Sequence, residues 1–242
     1  MGLPMTNTAV STAMTSAPPV VAAQPLWAVE RVKLPGGDVA ISAKGRRGPW
    51  QIVDADARDG RRIAAEAYVA DRYQQVHGAR IEHYQPHLFV AQTPDNPLAG
   101  VVGFSCFDDH IGLVEQYLDA PAQDVVSRWV GHDVARSSIM EVGNLAADNL
   151  TVVIKLTAFM FHRFHEAGKQ WALFTGTDGV RLALRRARIP FVSIQKADPR
   201  KLGAEREAWG NYYDSAPEVL LVNLAEGVAV VHERFDIENI DR

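Results

Sequence analysis

Glu141-Val142-Gly143-Asn144 sets an acid, a glycine and an amide inside the apolar run Ser138 to Ala146, which otherwise reads as buried sheet. An unpaired carboxylate or amide in a core is costly, so its presence there needs a reason, and that reason is most often a site. For Glu141 the structural alternative is a strand carboxylate bound to Arg136 or to a loop amide. Glu115, on an expected strand from Ile111 to Leu118, is a second acid of the same kind. It reads equally well as an acid ahead of the helix that begins near Pro121. Thr175 and Thr177 stand at a strand end ahead of a helix, where open α/β sheets place ligands, or else they cap that helix.

Other reactive side chains read as structural. His162 and His165 with Glu166 do not make the HExxH zinc arrangement, and no metal site is expected. Cys106, the single cysteine, lies in an apolar strand and reads as an inert core residue.

The elements that must position these residues alternate along the chain. Arg62 to His77 carries apolar residues at spacings of three and four and predicts a helix. His87 to Thr93 and Leu98 to Phe107 are apolar runs joined by Pro94-Asp95-Asn96-Pro97, a turn signal, and predict an antiparallel hairpin that Ile111 to Leu118 would extend. Ser137 to Ala147 is a strand. Leu150 to Ala167 is a helix capped by Asp148 or Asn149 and closed by Gly168, and Trp171 to Thr177 is a second strand. Val180 to Arg188 is a further helix and Phe191 to Gln195 a further strand. Two strands joined by a helix run parallel when they are neighbours in one sheet. The expected fold class is therefore α/β, with a mixed, mostly antiparallel sheet carrying a βαβ unit.

Composition bounds the function. At 242 residues with 47% hydrophobic and 22% charged, the chain has enough apolar material for one large core. A net charge of −4 argues against nucleic acid as partner. One cysteine excludes an internal disulfide framework and suits a reducing cytoplasm. No run reaches the ~20 apolar residues of a membrane span, and the first thirty residues lack a signal-peptide pattern. Residues 1–49 read as a leader, largely disordered in its first half, with a loop or weak hairpin between Gly36 and Pro49. Residues 50–242 read as a single domain beginning near Trp50.

Five motifs in order carry a resemblance: Glu115-Gln116-Tyr117-Leu118-Asp119-Ala120-Pro121, Glu141-Val142-Gly143-Asn144-Leu145-Ala146, Phe174-Thr175-Gly176-Thr177, Ala197-Asp198-Pro199, and Trp209-Gly210-Asn211-Tyr212-Tyr213 with Pro217. Together they resemble the thermostable hemolysin family. That family is similar in turn to the acyl-CoA N-acyltransferase (GNAT-like) fold, especially to acyl-homoserine-lactone synthases and ornithine-lipid acyltransferases. The resemblance implies that Met140 to Ala146 and Leu173 to Thr177 are two splayed parallel strands with a pantetheine arm between them. Val142, Gly143, Leu145, Ala146, Thr175 and Thr177 would then bind the acyl-pantetheine. It further implies Glu141 as base, directly or through water, with Asn144 orienting the acceptor or donating to the developing oxyanion. Glu115 becomes a second candidate base or acceptor-binding acid, and Tyr213 a candidate acid for the leaving thiolate, against a core role for Tyr212 and Tyr213. Acyl-homoserine-lactone synthases carry Arg where this chain has Asn144, a departure that argues against their acceptor, S-adenosylmethionine.

Enzymes of this fold that use coenzyme A carry a glycine-rich phosphate loop after the central strand. Here Ala147-Asp148-Asn149-Leu150-Thr151 stands in its place, without glycine and with an acid. The expected donor is thus an acyl-phosphopantetheine on acyl carrier protein, with acyl-CoA as the other possibility and no permanently bound cofactor. Carrier proteins are acidic. Arg181, Arg185 and Arg188, on one face of a helix without acids, are the expected docking surface or simply a solvated face. The expected activity is acyl transfer from the thioester to an amine of a small metabolite. The alternatives are a membrane-damaging hemolysin and a non-catalytic lipid or carrier-protein binder. An apolar strand from Pro217 to Leu224 leaves a homodimer through a sheet edge open.

Overall fold

The computed structural model describes residues 39–41, 50–55, 60–108 and 111–234. Most of the expected leader lies outside the described residues; Val39–Ile41 within it forms a short strand, β1. β1 pairs antiparallel with β2 (Trp50–Asp54), and β2 pairs antiparallel with β3 (His87–Thr93). Between β2 and β3 lies helix α1 (Arg61–His77), closed by Gly78 in the left-handed conformation. β3 turns at Thr93 and Asn96 into β4 (Asn96–Cys106), as the proline-rich turn predicts.

A single sheet of eight strands follows from these pairings, in the order β1-β2-β3-β4-β5-β6-β8-β7. β5 (Ile139–Ala147) is antiparallel to β4, and helix α3 (Leu150–Glu166) carries the chain to β6 (Trp171–Gly176), parallel to β5. The βαβ unit is therefore present where expected. α4 (Asp178–Ala187) leads to β7 (Val192–Lys196), but β7 is not the neighbour of β6. β8 (Glu218–Asn223) enters between them, antiparallel to both. The Pro217 to Leu224 segment is thus interior to the sheet, and the expected edge for a homodimer is already occupied on both sides.

Two-residue alternation along the strands divides the core. Phe89, Ala91, Val102, Phe104 and Met140 point to the face covered by α3, α4 and α5 (Leu224–Arg234). Leu88, Val90 and Val101 point to the other face, against Ala65 and Val69 of α1. Ile139, Leu173 and Leu221 also face that way, against Val125 and Val126 of α2 (Ala122–Val130). α3 holds its layer through Phe159, Phe161 and Phe164, all buried; each buried phenyl contributes about 2–3 kcal/mol. Asn149 caps the helix by accepting from the amides of Thr151 and Val152 at 3.0 and 3.2 Å.

One expected element differs. Ile111 to Leu118 does not extend the meander; Leu113–Tyr117 is a 3-10 helix lying on the α1 and α2 face. Its short apolar run is compatible with either shape, and the acid at Glu115 decides for the turn. The Glu115 carboxylate accepts from the amide of Gly112 at 2.9 Å and so closes a local loop that a strand would not allow.

Candidate active site

β5 and β6 run together for only three residue pairs, Ile139 with Trp171, Met140 with Ala172 and Glu141 with Leu173. Beyond that point β6 continues only with β8 and β5 only with β4. The β4–β5 register shifts between Val101 and Gly103, leaving Asn144 and Leu145 opposite Val102 alone. Asn144 takes the left-handed conformation there, with φ of 48°. Such a bulge bends a strand and leaves backbone groups out of the ladder. A cavity of about 830 Å³ fills the gap and passes through the sheet. Val142 to Ala147 and Phe174 to Thr175 form its waist. Val153, Met160 and Leu184 line the α3 and α4 side, and Tyr73, His77, Trp209 and Tyr212 line the other.

Glu141 stands where the strands part, 3% exposed. Its Oε1 accepts from the Val114 amide at 2.6 Å, and its Oε2 accepts from the Leu113 amide at 3.1 Å and the Ser105 hydroxyl at 3.3 Å. The Gln85 side chain lies beside it and also favours the charged form. Burial pushes the carboxyl up from its ordinary value, against the pull of these donors. Of the two alternatives, the partner is loop amide and not Arg136.

Gln85 explains the rest of the motif. A Cβ on Gly143 would lie 2.9 Å from Gln85 Nε2 and 3.1 Å from its Cγ, so only glycine admits this buried side chain. Asn144 Oδ1 accepts from the Gln85 amide at 2.7 Å, and Asn144 Nδ2 donates to the His83 carbonyl at 3.4 Å. The acid, the glycine and the amide are three contacts to one segment. Asn144 is thereby a clamp as well as a wall of the cavity.

Glu115 is withdrawn from the cavity. Its carboxylate takes both guanidinium nitrogens of Arg136 at 2.7 Å, the Ala122 amide at 2.7 Å and the Gly112 amide. Burial raises its pKa, but Arg136 and the two amides outweigh that and hold it below the usual carboxylate range. The reading of Glu115 as an acid ahead of α2 is the one the geometry supports.

Of the two tyrosines, Tyr212 lines the cavity and Tyr213 does not. Tyr213 and Tyr117 share a hydroxyl–hydroxyl bond of 2.6 Å, and burial pushes Tyr213 up to about 12. Thr175, on the parted end of β6, lines the cavity with Tyr212 and counters the rise that burial gives the Tyr212 phenol. Thr177 also lines the cavity; as the residue before α4 it makes no side-chain cap. Sequence reasoning missed His77 and Gln85. His77 shows in sequence only as a basic residue ending a helix, and the segment carrying Gln85 has no periodicity to mark it.

The arginine face of α4 needs correction. Arg181 is 5% exposed, donates to the carbonyls of Gly176 and Ala216 at 2.9 and 2.8 Å, and pairs with Asp178 in the same helix. The helix starts earlier than the apolar pattern implied and brings Asp178 with it. Arg185 and Arg188 remain exposed, Arg185 over the Phe191 ring at 5.6 Å. Cys106 is buried beside Met140, its thiol raised by burial.

Residues 55–228 match the sequence model of the family described as thermostable hemolysin. No curated protein shows significant sequence similarity. Among solved structures, the chain is similar to the AHL synthase LasI at 12% identity, covering 76% of this chain and 94% of that one with a TM-score of 0.50. It is also similar to FeeM, an N-acyl amino acid synthase from uncultured soil microbes, at 16% identity, 73% and 94% coverage and a TM-score of 0.47. A GNAT-family acetyltransferase from Staphylococcus aureus Mu50 gives 11% identity, 72% and 99% coverage and a TM-score of 0.43. At these identities the likeness to LasI speaks to the fold, the mixed sheet with a parted parallel pair described above. With the family match spanning most of the chain, this protein belongs to the thermostable hemolysin family.

Proposed function

We propose that the protein is an N-acyltransferase, moving an acyl chain from a pantetheine thioester to an amine of a small metabolite in the cytoplasm. The observation that carries the reading is the parting of β5 from β6 over a through-sheet cavity. Beyond Glu141 no described strand lies beside the β6-facing edge of β5, which leaves that edge to bind an extended arm as a strand would. The apolar side, with Val153, Met160 and Leu184, suits a hydrocarbon chain, and the volume lies in the range of small-molecule sites. The bulge at Asn144 and Leu145 offers backbone donors where a thioester oxygen would gain charge. Glu141 acts in this reading by holding Leu113, Val114 and Gln85 at the cavity edge.

Carrier protein is the proposed donor in preference to free coenzyme A. The first amides of α3 are taken by the Asn149 side chain, and Asp148 is held beside them by the Tyr68 hydroxyl at 2.8 Å and Asn96 Nδ2 at 2.7 Å. A pyrophosphate would meet an anion and occupied donors there. Arg185 and Arg188 are the proposed docking residues that remain on α4.

Among the described residues, no helix is long and apolar enough to cross a membrane. The test is incubation of purified protein with acyl carrier proteins and acyl-CoAs of varied length and a pool of amines, with thiol release and products followed by mass spectrometry. Amine-dependent thiol release, faster from carrier protein than from coenzyme A, is the expected result. Absence of turnover over the whole panel would overturn the reading.

A further inference from the structure

Resting on the acyl-transfer reading, we propose that the acceptor amine binds at the α1 side of the cavity and that His77 takes its proton. The two sides of the sheet offer different chemistry. Val153, Met160 and Leu184 on the α3 and α4 side carry no charge, whereas Tyr73, Trp209 and Tyr212 present aromatic faces beside Glu205 and Glu207. Neither glutamate has an ion-pair partner among the described residues. Aromatic faces and free carboxylates attract a protonated amine, and a fatty chain partitions to the opposite side. Donor and acceptor then meet at the waist from opposite faces.

The proton needs a destination other than Glu141, whose two oxygens are already held by the Val114 and Leu113 amides and the Ser105 hydroxyl. His77 is built as one. The Asn211 side chain lies beside its ring and favours the charged form, while the Asn211 backbone amide donates to the His77 carbonyl at 2.8 Å. Gly210 is pressed on that carbonyl, since a Cβ there would lie 2.1 Å from the oxygen, and its φ of 51° also favours glycine. The imidazole meets Tyr212 edge-on at 5.1 Å and Tyr73 at 6.0 Å. Tyr212 and Thr175, at the parted end of β6, line the same cavity, so one ring separates His77 from the waist. Burial lowers the His77 pKa against the Asn211 side chain, which leaves it neutral and able to accept at pH 7. The charged groups lining this side are Arg72, Arg80, Glu82, Glu205 and Glu207, with His83 the other imidazole. Arg72 donates to the Ala147 carbonyl at 3.0 Å, and Arg80 pairs with Glu82 at 3.2 Å.

In the step itself the bound ammonium first loses one proton to solvent; the neutral amine nitrogen then bonds to the thioester carbonyl carbon, and its second proton passes through one water to His77. The carbonyl re-forms, the C–S bond breaks, and the thiolate leaves with the electron pair. The imidazolium proton then goes to the thiolate or to water, leaving an amide and a thiol.

The test compares wild type with His77→Gln and His77→Phe, using an acyl carrier protein donor and a weakly basic alkoxyamine acceptor that stays neutral from about pH 5 to 8. Wild-type kcat should fall as pH drops below the ordinary imidazole value, through the range where His77 titrates. The variants should lose about 100-fold in kcat, keep KM for the amine, and lack that acid limb. His77→Phe retains the ring packing and serves if His77→Gln is unfolded by circular dichroism. Variants with wild-type kcat and an intact acid limb overturn the role of His77 while leaving acyl transfer standing. A wild type that transfers to no amine overturns both.

Discussion

Glu115 and Glu141 sit on the same face of the sheet and take amides from the same short segment, Gly112 for one and Leu113 and Val114 for the other. What separates them is a cation. Glu115 holds Arg136 in a two-pronged ion pair, whereas Glu141 has only neutral donors. The first carboxyl is drawn below its ordinary value and the second is pushed above it. The lesson is that a buried acid is not thereby a base: both carboxylates are held by loop amides, and the one at the cavity edge differs in having no charge partner among the described residues.

The sharpest way to break this comparison is to remove the cation. Arg136→Ala leaves Glu115 as an unpaired, nearly buried charge, and should lower unfolding stability by about 3 kcal/mol in a denaturant titration. A loss below a few tenths of that would mean the pair is solvent-screened and structurally idle.

Glu141→Gln should have a smaller effect, about 1 kcal/mol, because it gives up one acceptor oxygen but also removes a desolvated charge. Its pH profile of turnover should match the wild type, since the proton goes elsewhere. A lost acid limb in this variant would return Glu141 to the role of base.

The finest distinction is the sign of pH dependence. Glu115, with a folded pKa below its unfolded value, contributes stability that is present above about pH 4.5 and lost as pH falls through the lowered folded value. Glu141, with a folded pKa above its unfolded value, contributes stability that is present below about pH 4.5 and lost as pH rises through the raised folded value. Going from acid to neutral, the penalty of Arg136→Ala should grow while that of Glu141→Gln should shrink. Equilibrium unfolding of the three proteins between about pH 4 and 7 reads both slopes, and parallel slopes would contradict the contrast.

Much of the scaffold was legible because hydrophobic period determines it. α1, α3, the β3–β4 hairpin and the β5-α3-β6 unit follow from apolar spacing, turn residues and the Asn149 cap. The place of β8 was not, since strand order depends on packing between residues far apart in sequence, and no local pattern near Glu218 marks an insertion. Around the cavity, Glu141, Asn144 and Thr175 are legible in the sequence from their types and position. Their partner Gln85 is not, because it lies on an aperiodic stretch that only the Gly143 gap locates. Arg181 misled because a helical face is defined by both ends of the helix, and Asp178 was left outside it. Tyr213 and Tyr212 are adjacent, and only the 3-10 turn that carries them decides which faces the cavity.

The interior position of β8 bears on how the protein comes to be made. β6 forms one wall of the gap, yet beyond Leu173 its only strand neighbour among the described residues is β8, and β7 joins that sheet through β8 as well. As the chain emerges from the ribosome, residues 139–176 can form the βαβ unit, but its outer wall stays unzipped until residues 218–223 arrive. Late, long-range pairing of this kind is slow and exposes an apolar edge meanwhile. Completion of the cavity and completion of the sheet are thus a single event, and a nascent chain stopped short of Glu218 would carry neither.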